Sequence, residues 1–110
     1  MKDDKTYLQH IIDSIGRIES YIEDTSYDSF SSNDMMVAAV VRELEIIGEA
    51  SGHLSESFRE KHRGIQWRKI VGMRNFLIHE YFGVNIEVVW STCKNNLPKL
   101  KVVILKTLEE

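Results

Sequence analysis

A chain of 110 residues is long enough for one domain with one hydrophobic core and too short for two, so residues 1–110 are expected to fold as a single unit. Its 43% hydrophobic and 28% charged residues are those of a soluble globular domain, and one proline with six glycines favours long helices over a many-turned β fold. The net charge of −3 argues against a general nucleic-acid coat, yet it hides an asymmetry: residues 1–58 hold four Lys/Arg against twelve Asp/Glu (−8), residues 59–110 ten against five (+5).

The start, Met1-Lys2-Asp3-Asp4-Lys5, is charged and unlike a signal peptide, and no apolar stretch approaches the length of a membrane span. The single cysteine, Cys93, has no partner for a disulfide or a thiolate metal site. These features place the chain in a reducing, cytoplasmic setting, away from membranes.

In chain order, Leu8, Ile11, Ile15, Ile18 and Ile22 recur at steps of three and four and predict a helix over about 4–23. Tyr7, Ile12 and Tyr21 widen its stripe. Residues 25–32, rich in Ser and Asp, read as a loop because such side chains compete for backbone hydrogen bonds. Ser32 or Asn33 suits the N-cap of a second helix reaching about Ser51 and stopping at Gly52, with Met36, Val40, Leu44 and Ile47 as its stripe. Gly48 inside that helix implies a close neighbour. Residues 53–65 read as a polar, basic loop with a helical turn over 55–61.

A third helix is expected over about 66–82, with Gly83 as its stop. Asn85 suits the N-cap of a fourth, which Pro98 should interrupt near Asn96 before a last segment to about Leu108. Four main helices with short connections predict an all-α antiparallel bundle.

The segment from Arg74 to Tyr81, RNFLIHEY, carries the chemistry. At 100° per residue, Trp67, Ile70, Val71, Leu77, Ile78 and Tyr81 form one broad stripe with Arg74 in its middle. A guanidinium there needs a partner or a cleft. Asn75 and His79, four apart, share the face beside the stripe. Histidine trades a proton near neutral pH, arginine grips phosphate, and an amide orients either one. The trio suits attack of a ribose 2′-hydroxyl on the adjacent phosphate, which requires RNA and no metal.

A purely structural reading of the same residues stands beside it: Arg74 paired with Glu43 or Glu49, and His79 satisfying the last carbonyls of its helix. His53, His62 and His79 lack metal-ligand spacing, and no nucleophile signature surrounds Cys93 or any serine. Arg63, Arg68 and Lys69, within the basic run from Arg59 to Arg74, are candidate RNA contacts. Bases could stack on Trp67 or Tyr81. Helix three also bears Phe76 opposite its main stripe, and a helix apolar on two faces wants two partners.

Arg74-Asn75, three residues, His79, one residue and Tyr81 resemble the HEPN motif, and the trailing Tyr81-Phe82-Gly83 is most similar to its HepT-like branch. Arg42, Ile46-Ile47-Gly48-Glu49-Ala50, Trp67, Gly72-Met73, Trp90 and Leu97-Pro98 extend the likeness over about 37–100, with Gln66 departing where proline is expected. The resemblance implies a four- to five-helix bundle pairing as a homodimer around a shared cleft. It further implies a toxin of a toxin–antitoxin module, a metal-independent endoribonuclease without cofactor. Its antitoxin would be a cognate nucleotidyltransferase that attaches AMP to Tyr81, in a larger hetero-oligomer if the two stay bound. Arg74 would then hold the scissile phosphate, His79 act as general acid or base, and Asn75 position them. The competing reading is a non-catalytic module that binds a nucleotidyltransferase or a nucleotide through the same cleft.

Overall fold

The structure, a computed structural model, describes residues 4–79 and 85–110, with side chains at all of these except 74–79. Helices dominate and no strand occurs among the described residues: α1 (Asp4–Ile22), α2 (Tyr27–Ser31), α3 (Asp34–Gly52), α4 (Glu56–Lys61), α5 (Trp67–His79), α6 (Ile86–Ser91) and α7 (Leu97–Glu109). A π-helical turn, Thr92–Asn96, joins α6 to α7. This all-α bundle matches the expected fold class.

The periodic stripes become the core. Leu8, Ile11, Ile15, Ile18 and Ile22 of α1 close onto Val40, Leu44 and Ile47 of α3, all of them buried. The long α3 is the central helix: it packs on α1 along one side and on α5 along another. Burying Leu- or Ile-sized side chains contributes about 1.5–3 kcal/mol each, so this seam holds the bundle together. Gly48 lies buried within it. A Cβ on Gly52 would sit 3.6 Å from Val71 Cγ1, so the end of α3 and the second turn of α5 are in van der Waals contact.

A polar link between half-exposed Arg17 and buried Glu43 crosses the α1–α3 seam. Arg17 Nε lies 3.0 Å from Glu43 Oε1, an ion pair whose N–H is not aimed at the oxygen, and Arg17 Nη2 donates to the buried Ser14 Oγ at 3.3 Å. At the surface, Lys101 Nζ joins α7 to α1 through both carboxylate oxygens of Glu19 at 3.0 Å.

Helix ends follow the side chains able to cap them. Asn33 Oδ1 accepts from the Met36 amide at 3.0 Å, Ser55 Oγ from the Phe58 amide at 3.1 Å, and Asn85 Oδ1 from the Val88 amide at 3.1 Å. The cap is therefore Asn33, not Ser32. Ser55 is itself held from a distance: Asp4 Oδ1 accepts from its amide at 2.8 Å and Asp4 Oδ2 from its hydroxyl at 2.6 Å.

Residues 25–32, read as a loop from their composition, contain α2 instead. Ser26 caps it by accepting from the Ser29 amide, and Phe30 is fully buried against Trp90, 5.0 Å between ring centroids. Burial of one aromatic ring holds a turn that polar neighbours would otherwise loosen. The break anticipated near Pro98 takes the form of the π turn. α7 restarts at Leu97 with Pro98 in its first turn, where a missing amide hydrogen costs nothing.

Candidate functional site

The candidate residues are set by α5, and α5 is set by its first turn. Trp67 is buried, its indole N–H donates to the His62 carbonyl at 3.0 Å, and Phe58 meets it edge-on at 5.9 Å. Ile70 is buried one turn later. These anchors place Arg74, Asn75 and His79 along the later turns of the same helix, whose described extent is Trp67–His79. Arg74 and His79 are five residues apart, so about 7.5 Å of helix rise separates their backbones. The side chains of Arg74, Asn75 and His79 lie outside those described, and Tyr81 lies outside the described residues altogether.

The buried Trp67 corrects one expectation. With its N–H taken and its ring enclosed, it offers no face on which an RNA base could stack. Of the acids considered as partners for Arg74, Glu43 pairs with Arg17 and Glu49 Oε2 lies 3.1 Å from His53 Nε2, while the Arg74 side chain itself lies outside those described.

The basic candidates are all exposed. Arg63 is exposed in the connection between α4 and α5, and Arg68 and Lys69 are exposed on the first turns of α5. Arg68 and Lys69 border a groove of about 760 Å³ between α5 and the α6–π-turn segment. Ile70 and Met73 line it from α5, Val88 and Val89 from α6, and Thr92 and Asn96 from the π turn. Sequence reasoning missed this π-turn wall. The interruption that Pro98 predicts near Asn96 is its only trace in the sequence.

A smaller groove of about 450 Å³ runs between α1 and α3, where Tyr7 stacks on His53 with ring centroids 4.9 Å apart and planes 12° from parallel. Arg42 borders it and pairs with Glu45 at 3.5 Å. Cys93 is buried, and desolvation pushes its thiol up to about 12 against the opposing pull of Lys94, so it is no nucleophile at neutral pH. Among the described residues no three His, Cys, Asp or Glu side chains converge as a metal site, and no helix is long and apolar enough to cross a membrane.

Comparison with known proteins converges on one group. A family model described as "Ribonuclease HepT-like" matches residues 11–107. A Methanocaldococcus jannaschii protein named as a gamma-glutamylcyclotransferase and candidate RNase is 46% identical over 109 residues; the match takes in 99% of this chain but only 49% of that one, so the chain spans about half its length. A candidate RNase of Caldanaerobacter subterraneus subsp. tengcongensis is 39% identical over 110 residues, covering 100% of this chain and 98% of the other. The "Probable ribonuclease HepT" of Thermococcus cleftensis is 41% identical over 97 residues, with 88% of each chain covered. No solved structure matches.

Proposed function

We propose, because this chain belongs to the ribonuclease HepT-like family, that it is an endoribonuclease whose Arg74, Asn75 and His79 cut RNA without a metal ion. The observation that carries the reading is the placement of these three positions on one helix, α5, in a chain matched to that family over residues 11–107. In the reaction the ribose 2′-oxygen attacks the neighbouring phosphorus as a base removes its proton. The P–O5′ bond then breaks, and the leaving oxygen takes up a proton. Products are a 2′,3′-cyclic phosphate and a 5′-hydroxyl.

His79 carries the proton transfer, a role worth about 10²–10⁴-fold in rate. Arg74 holds the phosphate and its added transition-state charge with paired donors, and Asn75 orients ring or phosphate. Arg63, Arg68 and Lys69 supply contacts to neighbouring phosphates.

The biological frame is a toxin–antitoxin module. A cognate nucleotidyltransferase would silence the toxin by joining the Tyr81 oxygen to the α-phosphorus of ATP, with loss of pyrophosphate. The bulky anion would then stand two residues from His79. Two copies of the chain would face each other as a homodimer, in the cytoplasm, with the antitoxin bound in a larger complex.

The test is cleavage of mixed single-stranded RNA and tRNA in EDTA by wild type and His79→Ala. Cyclic-phosphate ends from the wild type, lost at least 100-fold in a folded His79→Ala, are the expected result. Equal cleavage by both, or none by a folded protein free of AMP, would sink the assignment.

A further inference from the structure

We propose that the groove between α5 and the α6–π-turn segment seats an unpaired nucleotide of the RNA beside the bond to be cut, an inference that rests on the ribonuclease reading above. The groove is a long step from a generic basic patch. Its floor is apolar, from Ile70, Met73 and Val88, and so suits the flat face of a base. Arg68 and Lys69 stand exposed at its border, and neither has an ion-pair partner among the described residues. Two unneutralised cations over an apolar floor match a nucleotide, which is a phosphate joined to a hydrophobic ring system.

Asn96 adds an unused amide. Asn33 and Asn85, each just ahead of a helix, spend their side chains as caps. Asn96, just ahead of α7, makes no such bond, because the π turn holds its backbone in helical geometry (φ −91°, ψ −42°) and the chain runs on without a cap. Asn96 is one of the residues lining the groove, and a side-chain amide can both donate to and accept from a base edge. π turns inside helices recur at functional sites, and here the turn is what turns Asn96 to this use.

Gly72 keeps the space open. It lies inside α5, where glycine is unfavourable, and a Cβ there would meet nothing within 4 Å. Packing among the described residues does not demand a glycine at this position, whereas an occupant of the groove would. Gly72 and His79 are seven residues apart, almost two full turns, so the two positions share one side of α5, about 10 Å apart along its axis. A single strand lying in the groove thus runs toward His79. Glu87, at the far border, disfavours a phosphate there and so orients the strand with its charged backbone toward α5.

The experiment measures fluorescence anisotropy of a labelled single-stranded RNA octamer with 2′-O-methyl sugars, which lacks the attacking hydroxyl, against the same octamer annealed to its complement. Wild type should bind the single strand at least tenfold more tightly. Gly72→Leu, which fills the groove, should lose at least tenfold, while Gly16→Leu, also facing open space, should bind as wild type. The double variant Arg68→Ala/Lys69→Ala should lower the slope of log affinity against log salt by about 1.4, the value for two phosphate contacts to a single strand.

Unchanged binding by Gly72→Leu, or equal affinity for duplex and single strand, overturns the proposal. So does a wild-type dimer that Gly72→Leu splits without altering RNA binding, since the groove would then hold a second copy. Binding that follows this pattern in a protein that cuts nothing would keep the groove and discard the ribonuclease reading. Cleavage with KM unaltered in Gly72→Leu would do the reverse.

Discussion

The two seams that flank the bundle are built to opposite ends. Between α1 and α3 the aliphatic stripes interlock, with Leu8, Ile11, Ile15, Ile18, Val40, Leu44 and Ile47 buried, and a pair of opposite charges, Arg17 with Glu43, joins the two helices. Between α5 and α6 an apolar floor stays uncovered, Val88 is 46% exposed, and Arg68 and Lys69 remain without carboxylate partners among the described residues. A fold needs the first kind of seam to exist at all. The second kind stabilises nothing by itself, and surfaces of that type are where ligands find their energy. Stability and recognition are thus assigned to different pairs of helices, and α5 belongs to both: one side on α3, the other on the groove.

The comparison breaks most sharply with core truncation. Leu44→Ala in the closed seam should cost about 2–5 kcal/mol in urea unfolding, because a cavity remains where α1 and α3 meet. Val88→Ala in the open seam should stay within about 0.5 kcal/mol. Similar costs for the two would mean that the groove is a filled interface and not a free one.

A smaller effect of opposite sign sharpens it. Gly16→Ala and Gly72→Ala should each raise stability by about 1 kcal/mol, since each glycine is helical and each new methyl meets open space. Of the two, only Gly72→Ala should weaken RNA binding.

The smallest effect at neutral pH concerns Cys93, just behind the groove wall. Its folded pKa is raised to about 12 from 9.0, so the folded state holds the proton more tightly than the unfolded chain. The sign follows: stability is constant below about pH 9 and declines as pH rises from there toward 12. Thermal midpoints across that window should fall less in Cys93→Ala than in wild type, and thiol reagents should label the native protein only as fast as it opens.

Much of the closed seam was legible in the chain, because a period of 3.6 repeated over 19 residues leaves few ways to orient α1 or α3. Caps at Asn33 and Asn85 were legible for the same local reason: a short polar side chain bonds the amide three residues on. The rest depended on contacts distant in sequence. α2 hides behind serines and aspartates, since what holds it is Phe30 against Trp90, sixty residues away. Trp67 reads equally well as a surface or a core aromatic until Phe58 and the His62 carbonyl enclose it. The Arg74–Asn75–His79 spacing was plain, whereas Asn96 was not: it joins the groove only through a π turn, which breaks the very periodicity by which helices are read.

The bond pair from Asp4 to Ser55 bridges 51 positions of chain. Ser55 heads the helix that leads, through Arg63, into α5, so the opening residue of α1 is stapled to the approach of the basic segment. Closing so long a loop is entropically costly, and such contacts form only after the elements they join have docked. The Ser55 amide proton therefore exchanges with solvent at a rate set by how often α1 lifts its first turn, and one deuterium-sensitive atom reports whether the platform beneath Arg63 and α5 is seated.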